Sequence, residues 1–263
     1  MILVQSEFEY KKYLLIIKLF DMKLIKSIIA KIINSLKFFI VTSSNEQYCK
    51  YLRKHGVSIS GGVIFRYPHH TTIDVSRPGL ISIGENVDIN DNFTIMTHDF
   101  GTFVFRNLYH DFVPSSGKVS IGNNVYIGRD VTILKGVSIG DNCIIGLGSI
   151  VTKDIPDNSV VCGVPAKVVC SIDEYYSKRK EKSIKECIDY YKALTKHLGR
   201  TPILTDFTEE WALFFRKEDF NIHPEMHSII DWRIKDHEKD FWKNHKPYFN
   251  GFDDFSQYME LRQ

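Results

Sequence analysis

The sequence predicts a mainly β protein built around a three-sided parallel β-helix, with helical segments before and after it. Between residues 119 and 156 an aliphatic residue returns at every sixth position: Ile121, Ile127, Ile133, Ile139, Ile145 and Val151. A second column of mostly small or β-branched residues stands two positions earlier: Val119, Val125, Val131, Val137, Cys143 and Ser149. A period of six is not helical, and simple alternation does not explain it, so the chain must turn after each short strand.

The corners between these columns are rich in Gly, Asn and Asp, as in Gly122-Asn123-Asn124 and Gly140-Asp141-Asn142. Such residues tolerate the positive φ angles of tight turns. Three strand-and-corner units, about 18 residues, bring the chain back over itself and stack equivalent positions about 4.8 Å apart. A β-sandwich is the alternative, but its strands come at spacings of about 8–12 residues.

The repeat extends towards the N-terminus and is interrupted once. Three further isoleucines keep the step of six: Ile83, Ile89 and Ile95. Residues 57–80 predict a first, irregular coil. The period then disappears until Val119, so residues 98–118 are predicted to form a loop expelled from the prism. Loops of this kind are often functional.

The prism divides the chain into three predicted regions. Residues 1–56 form an N-terminal helical extension, residues 57–170 the β-helix domain, and residues 171–263 a helical C-terminal appendage. The appendage is rich in aromatic residues, which indicates a folded unit rather than a solvated tail.

The N-terminal extension has a basic stripe. At 100° per residue, four lysines share one narrow arc beside Ser27 and Asn34: Lys12, Lys23, Lys26 and Lys37. One interpretation is an amphipathic helix lying on the inner face of a membrane. The other is a helix packed on the prism or on a neighbouring subunit. Met22 is a second plausible first residue, which leaves open whether residues 1–21 belong to the native chain.

Composition limits the partners and the compartment. A net charge of +2 favours no nucleic acid partner. The five cysteines form no CxxC pair, which fits a reducing cytoplasm.

Four sequence motifs carry a resemblance to a known family. They are THD (97–99), GNNVYIG (122–128), IGLGSIVTKDIP (145–156) and CGVPAKVV (162–169). On these residues the chain resembles the hexapeptide-repeat acyltransferases, which have a left-handed β-helix. It is most similar to the galactoside and maltose O-acetyltransferase branch and to capsule or surface polysaccharide O-acetyltransferases.

The resemblance implies that His98, at the start of the expelled loop, is the catalytic base. An imidazole with a pKa near 6.5 can take the proton of a sugar hydroxyl at neutral pH and return it to a leaving thiolate. Asp99 is a hypothetical partner that orients the ring, and a backbone carbonyl is the alternative. His69, His70 and Asp99 are implied contacts of the acceptor.

The resemblance also implies acetyl-CoA as the co-substrate, bound in grooves between the subunits of a homotrimer. The implied donor-binding residues are Tyr126, Gly128, Arg129, Gly146, Leu147, Gly148, Thr152, Lys153 and Lys167. Gly146 and Gly148 would let the pantetheine arm approach the backbone. Lys153 and Lys167 would contact phosphates. Tyr126 stands where the family commonly has Trp, and Arg129 where it has a small residue.

No metal is expected. The γ-class carbonic anhydrases of the same fold use a close His pair in the repeat region as zinc ligands, whereas residues 119–170 contain no His.

The function implied is transfer of an acetyl group from acetyl-CoA to a carbohydrate hydroxyl in a bacterial surface polysaccharide or its precursor. Two alternatives stay open at the level of the sequence. One is N-acetylation of an amino sugar, a nucleotide sugar or an antibiotic of the streptogramin or chloramphenicol type. The other is a trimeric scaffold without enzymatic activity.

Overall fold

The computed structural model describes residues 12, 22, 24–33, 35–234 and 237–262. Lys23 and Asn34, two members of the predicted polar arc, lie outside the described residues. The chain divides into two compact units, Met1–Asp173 and Glu174–Gln263.

The described part of the first unit contains fourteen short strands. In chain order they are β1 (Ser58–Ile59), β2 (Ile64–Phe65), β3 (Thr72–Ile73), β4 (Ile81–Ile83), β5 (Val87–Ile89), β6 (Thr94–Ile95), β7 (Val119–Ile121), β8 (Val125–Ile127), β9 (Thr132–Ile133), β10 (Ser138–Ile139), β11 (Ile144–Ile145), β12 (Ile150–Val151), β13 (Ser159–Cys162) and β14 (Lys167–Ser171). They form three sheets, with the orders β1-β4-β7-β10, β14-β13-β11-β8-β5-β2 and β12-β9-β6-β3. Apart from β14, which pairs antiparallel to β13, each sheet is one side of a parallel β-helix, as the period of six predicts.

The register places the predicted columns inside the prism. Ile59, Ile83, Ile121 and Ile139 lie side by side in the first sheet, and each is at most 8% exposed. At the corners, Asn and Asp residues adopt positive φ angles of 54–58°. Their side chains also stack from coil to coil, since Nδ2 of Asn124 donates to Oδ1 of Asn142 at 2.8 Å.

Helix α1 (Asn45–Lys54) closes the open first coil. Its N-cap residue Ser44 accepts a hydrogen bond from the backbone of Gln47. Tyr48 and Leu52 on this helix are buried in the same core as the prism residues. Packing on the first coil therefore covers apolar side chains on which no further coil of the described residues stacks.

Two other parts of this unit contain helices. Residues 24–33 and 35–41 are helical and almost entirely exposed. None of the helices in the described part of the chain is long and apolar enough to cross a membrane. The interruption after β6 is not a plain loop as predicted, because it contains helix α2 (Thr102–Tyr109).

The second unit is helical. It contains most of α3 (Ile172–Leu198), then α4 (His227–Ile234), α5 (Glu238–Asn244) and α6 (Phe252–Glu260), with four short 3₁₀ turns described between α3 and α4. Its core is largely aromatic and includes Tyr191, Phe207, Trp211, Phe214, Phe215 and Phe255. The aromatic residues of the appendage thus build a core of their own.

Candidate active site

The third sheet brings polar side chains together where its strands end. Ile73, Ile95, Ile133 and Val151 are lateral neighbours in this sheet. The residues that follow them therefore emerge along one edge, which we call the exit edge. Its polar members are Asp74, Thr97, His98, Lys135, Thr152 and Lys153.

His98 is held by a buried carboxylate on this edge. Nδ1 of His98 lies 2.6 Å from Oδ2 of Asp74, and the Asp74 side chain is only 7% exposed. Thr97 donates its backbone N–H and its hydroxyl to the same oxygen, at 3.2 and 2.5 Å. Ser76 donates its hydroxyl to Oδ1 at 2.5 Å. The chain therefore surrounds Asp74 with donors.

The charge on Asp74 sets the tautomer of His98. Burial raises the pKa of Asp74, but hydrogen bonds from Ser76, Thr97 and His98 lower it by more, so the net pKa is well below its ordinary value. An ionised carboxylate only accepts hydrogen bonds, so Nδ1 of His98 carries the proton. Among the described residues Nε2 has no hydrogen-bond partner, which leaves its lone pair available as a base.

The hypothesis that Asp99 orients the His98 ring is wrong. Asp99 instead forms an ion pair with Lys135 and accepts hydrogen bonds from Ser115 and the backbone of Gly101. The hydrogen bond from Lys135 is the largest cause that lowers the pKa of Asp99, to about 2. A backbone carbonyl, the alternative orienting group, is not the partner of Nδ1 either. Asp99 and Lys135 anchor the base of the loop, beside the bridge between His98 and Ser116.

Most of the predicted donor-binding residues lie at a different edge. Gly128, Arg129, Gly146, Leu147 and Gly148 lie at the corners between the second and third sheets in two adjacent coils, and Tyr126 lies in β8, just before the first of these corners. Backbone hydrogen bonds stack these corners, from Gly128 to Ile145 and from Gly148 to Arg129, each at 2.8 Å. We call this the entry edge. Thr152 and Lys153 lie on the exit edge with His98, and Lys167 begins β14.

Gly146 and Gly148, the two glycines expected to admit a pantetheine arm, differ in the space around them. A Cβ atom on Gly146 would lie 2.9 Å from the Cβ atom of Cys162 in the next coil, so close stacking of the prism requires this glycine. A Cβ atom on Gly148 would meet nothing within 4 Å, and its φ is +68°. Only Gly148 therefore borders open space.

The predicted acceptor residue His70 also lies at the entry edge. Nδ1 of His70 is 2.7 Å from Oδ1 of Asp91, and a terminal nitrogen of Arg129 is 2.9 Å from Oδ2 of the same carboxylate. The hydrogen bond from His70 is the main cause that lowers the pKa of Asp91. The His69 ring contacts the His70 ring, with 4.1 Å between centroids. Asp91 is thus the ion-pair partner of Arg129, the residue that replaces the small residue common in the family.

Stacked hexapeptide turns with a polarised histidine on one edge define a hexapeptide-type transferase. The family model described as bacterial transferase hexapeptide (six repeats) matches residues 118–153. Protein CapG of Staphylococcus aureus is 39% identical over 158 residues, which cover 60% of this chain and 88% of CapG. The chain belongs to the hexapeptide-repeat acetyltransferase family and is an acyltransferase. The left-handed winding expected from the resemblance is that of this family.

Galactoside O-acetyltransferase of Escherichia coli K12 is 46% identical over 102 residues, which cover 37% of this chain and 49% of the relative. This chain therefore spans about half the length of that enzyme. A solved maltose O-acetyltransferase from Clostridium difficile 630 is 31% identical, with a TM-score of 0.34. The alignment covers 48% of this chain and 75% of that structure's chain. A solved galactoside acetyltransferase in complex with coenzyme A is 28% identical, with a TM-score of 0.39. The alignment covers 53% of this chain and 80% of that structure's chain.

Proposed function

We propose that this protein is an acetyl-CoA-dependent O-acetyltransferase that acts in the cytoplasm on a carbohydrate hydroxyl, in a bacterial surface polysaccharide or its precursor. The observation that carries the proposal is the hydrogen bond between Asp74 and Nδ1 of His98, which leaves Nε2 free. A galactoside O-acetyltransferase is among the relatives, which supports a sugar hydroxyl as the acceptor.

His98 acts as the general base. Nε2 removes the hydroxyl proton as the hydroxyl oxygen attacks the thioester carbonyl, and Asp74 stabilises the imidazolium that forms. The new C–O bond replaces the C–S bond, and His98 returns the proton to the departing sulfur. The products are the acetyl ester and free CoA, so atoms and charge balance.

The exit edge suits an extended donor. Lys153 lies two coils beyond His98, roughly 10 Å at the spacing of stacked strands. A thioester beside His98 then directs its pantetheine arm along the prism, towards the exposed ammonium of Lys153. In the same proposal, Lys167 contacts the phosphate end of the donor, and the pantetheine arm occupies the open space at Gly148.

We place the complete site between subunits of a homotrimer. Tyr126, Arg129 and His70 are separated from His98 by the third sheet within one copy, so a second copy is needed to bring both edges to one ligand. The loop after β6 supports this arrangement, because it exposes many large apolar side chains: Phe100, Phe103, Val104, Leu108, Tyr109, Phe112 and Val113. A patch of this kind is typical of an interface.

The N-terminal helical segment favours contact with an anionic membrane surface. Eight large apolar residues of residues 24–41 share an arc of about 140° at helical spacing: Ile25, Ile28, Ile29, Ile32, Ile33, Leu36, Phe39 and Ile40. All eight are exposed. Lys26, Lys31 and Lys37 lie off this arc, and residues 24–41 include no acid. Such a helix lies in the plane of the interface and does not span the bilayer.

Release of CoA thiol from acetyl-CoA by the full chain, with a panel of sugars, tests the proposed activity. We expect release with a hydroxyl-bearing glycan that has no free amine, and a product ester that alkaline hydroxylamine cleaves. A strict requirement for an amine would instead identify an N-acetyltransferase. Failure to bind CoA in calorimetry would identify a scaffold.

A further inference from the structure

The second unit contains a cavity that the acetyl-transfer chemistry does not use. Its volume is about 590 Å³, within the range of small-molecule sites. It lies between α3, the 3₁₀ turn Glu210–Leu213 and residues 244–248, which include the last residue of α5 and the four residues after it. All of its walls belong to this unit.

The α3 wall presents an aromatic ring and three charged side chains. Tyr176, Arg179, Lys180 and Glu186 lie on one face of the helix at spacings of three, four and seven residues. Arg179 donates two hydrogen bonds to the carboxylate of Glu186, at 2.8 and 2.6 Å. Nζ of Lys180 lies 5.4 Å from the centre of the Tyr176 ring. These contacts orient the guanidinium towards Glu186 and place the ammonium of Lys180 near the ring, and Tyr176 is 62% exposed.

The opposite wall holds a second exposed ring. Tyr248 is 64% exposed, yet its backbone N–H donates to the carbonyl of Leu213 at 2.8 Å. Its ring packs edge-on against the buried ring of Phe249, with 4.9 Å between centroids. Nearby, Nε2 of His245 lies 3.0 Å from the carbonyl oxygen of Phe215, and burial lowers the pKa of His245. Tyr248 is therefore an apolar surface on a fixed support.

The charges around the cavity balance. Three cations and three anions line it: Arg179, Lys180, Lys246, Glu186, Glu209 and Glu210. A polyanion such as nucleic acid would meet as many carboxylates as cations, so the cavity is a poor site for it. A neutral ligand with a flat apolar face and many hydroxyl groups fits both the two rings and the planar donors and acceptors.

We propose that this cavity is a carbohydrate-binding site for a neutral glycan. The C–H face of a sugar ring packs on Tyr176 or Tyr248, and its hydroxyls hydrogen-bond the Arg179–Glu186 pair and Glu210. The site goes beyond the proposed acetyl transfer, because binding here needs neither acetyl-CoA nor His98. It would hold a glycan through a part of the chain other than the prism.

Saturation-transfer NMR on the full chain, with maltotetraose and chitotetraose as probes and a heparin tetrasaccharide as the anionic comparison, tests the proposal. We expect saturation of sugar protons for at least one neutral tetrasaccharide. Tyr176→Ala and Tyr248→Ala should each weaken binding by about tenfold, because each removes a ring contact. Tyr176→Phe should retain binding, since the ring face remains.

Trp232→Ala is the matched control, because Trp232 is an exposed aromatic residue of the same unit that does not line the cavity. Its variant should bind like the wild type. Three results would overturn the proposal: no binding of either neutral probe, an affinity that neither tyrosine-to-alanine variant weakens, or binding of heparin alone. Because no acetyl transfer is measured, failure of the proposed enzyme activity does not affect this test.

Discussion

Asp74 and His98 lie 24 residues apart in the sequence, yet their side chains meet at 2.6 Å on one edge of the prism. We expect Asp74→Asn to lower the rate of acetyl transfer by about 10²- to 10⁴-fold, since the amide no longer stabilises the imidazolium or fixes the tautomer. CoA thiol release measures the effect. Asp99→Asn is the matched control, because Asp99 does not contact the ring. An equal loss in both variants would contradict the role of Asp74.

Lys135 should control the titration of Asp99. The folded-state pKa of Asp99, about 2, is below its ordinary value of 3.8. Its stabilising contribution is therefore present above about pH 4 and is lost as the pH falls through about 2. In Lys135→Met we expect the Asp99 midpoint, measured by NMR of the carboxyl carbon, to move up towards 3.8. Lys118→Met serves as the control, because Lys118 is an exposed lysine at the end of the same loop that does not pair with Asp99. An unchanged midpoint in Lys135→Met would refute the pairing.

Gly148, at the proposed donor site, can be tested against Gly199, a control glycine in the second unit. Both have positive φ, +68° and +63°, and a Cβ atom on either would meet open space. Alanine at either position should lower the free energy of unfolding by about 1 kcal/mol through backbone strain. Only Gly148→Ala should also weaken CoA binding in calorimetry. Equal CoA affinity in both variants would exclude Gly148 from the donor groove.

The helical segment 24–41 should bind anionic vesicles. We expect the full chain to co-sediment with phosphatidylglycerol vesicles, less with pure phosphatidylcholine, and less at high salt. Ile28→Glu with Ile32→Glu should abolish binding, and Lys26→Ala should weaken it about fivefold. Leu261→Glu changes an exposed apolar residue of the second unit and should have no effect. Binding unaffected by the two isoleucine substitutions would favour a packed or self-associated helix.

The sequence predicted the regular coils well because each coil repeats after 18 residues, as from Ser120 to Ser138. It did not predict Asp74. The first coil is irregular, with Ser58 pairing 24 residues on with Ser82 and Thr72 pairing 22 residues on with Thr94. No fixed period therefore aligns Asp74 with the end of β6. The helix in the expelled loop was missed because its large apolar residues stay exposed and form no buried face.

The separation of the donor residues into two edges follows from the hexapeptide period, because consecutive turns occupy different corners of the triangle. The period does not show which of these edges His98 shares, because the expelled loop interrupts the count between Ile95 and Val119. Arg129 was noted as a departure from the family. Its ion pair with Asp91 joins turns that are 38 residues apart, and only the stacking of coils brings them together.

His98→Ala removes the imidazole that is proposed to take the hydroxyl proton, so this variant is the most direct test of that role. The measurement is the rate of CoA release from acetyl-CoA with an accepted glycan, beside calorimetric CoA binding as a check on folding and donor affinity. We expect unchanged CoA affinity and a turnover number lower by about 10²- to 10⁴-fold. Turnover within tenfold of the wild type, with CoA still bound, would contradict it.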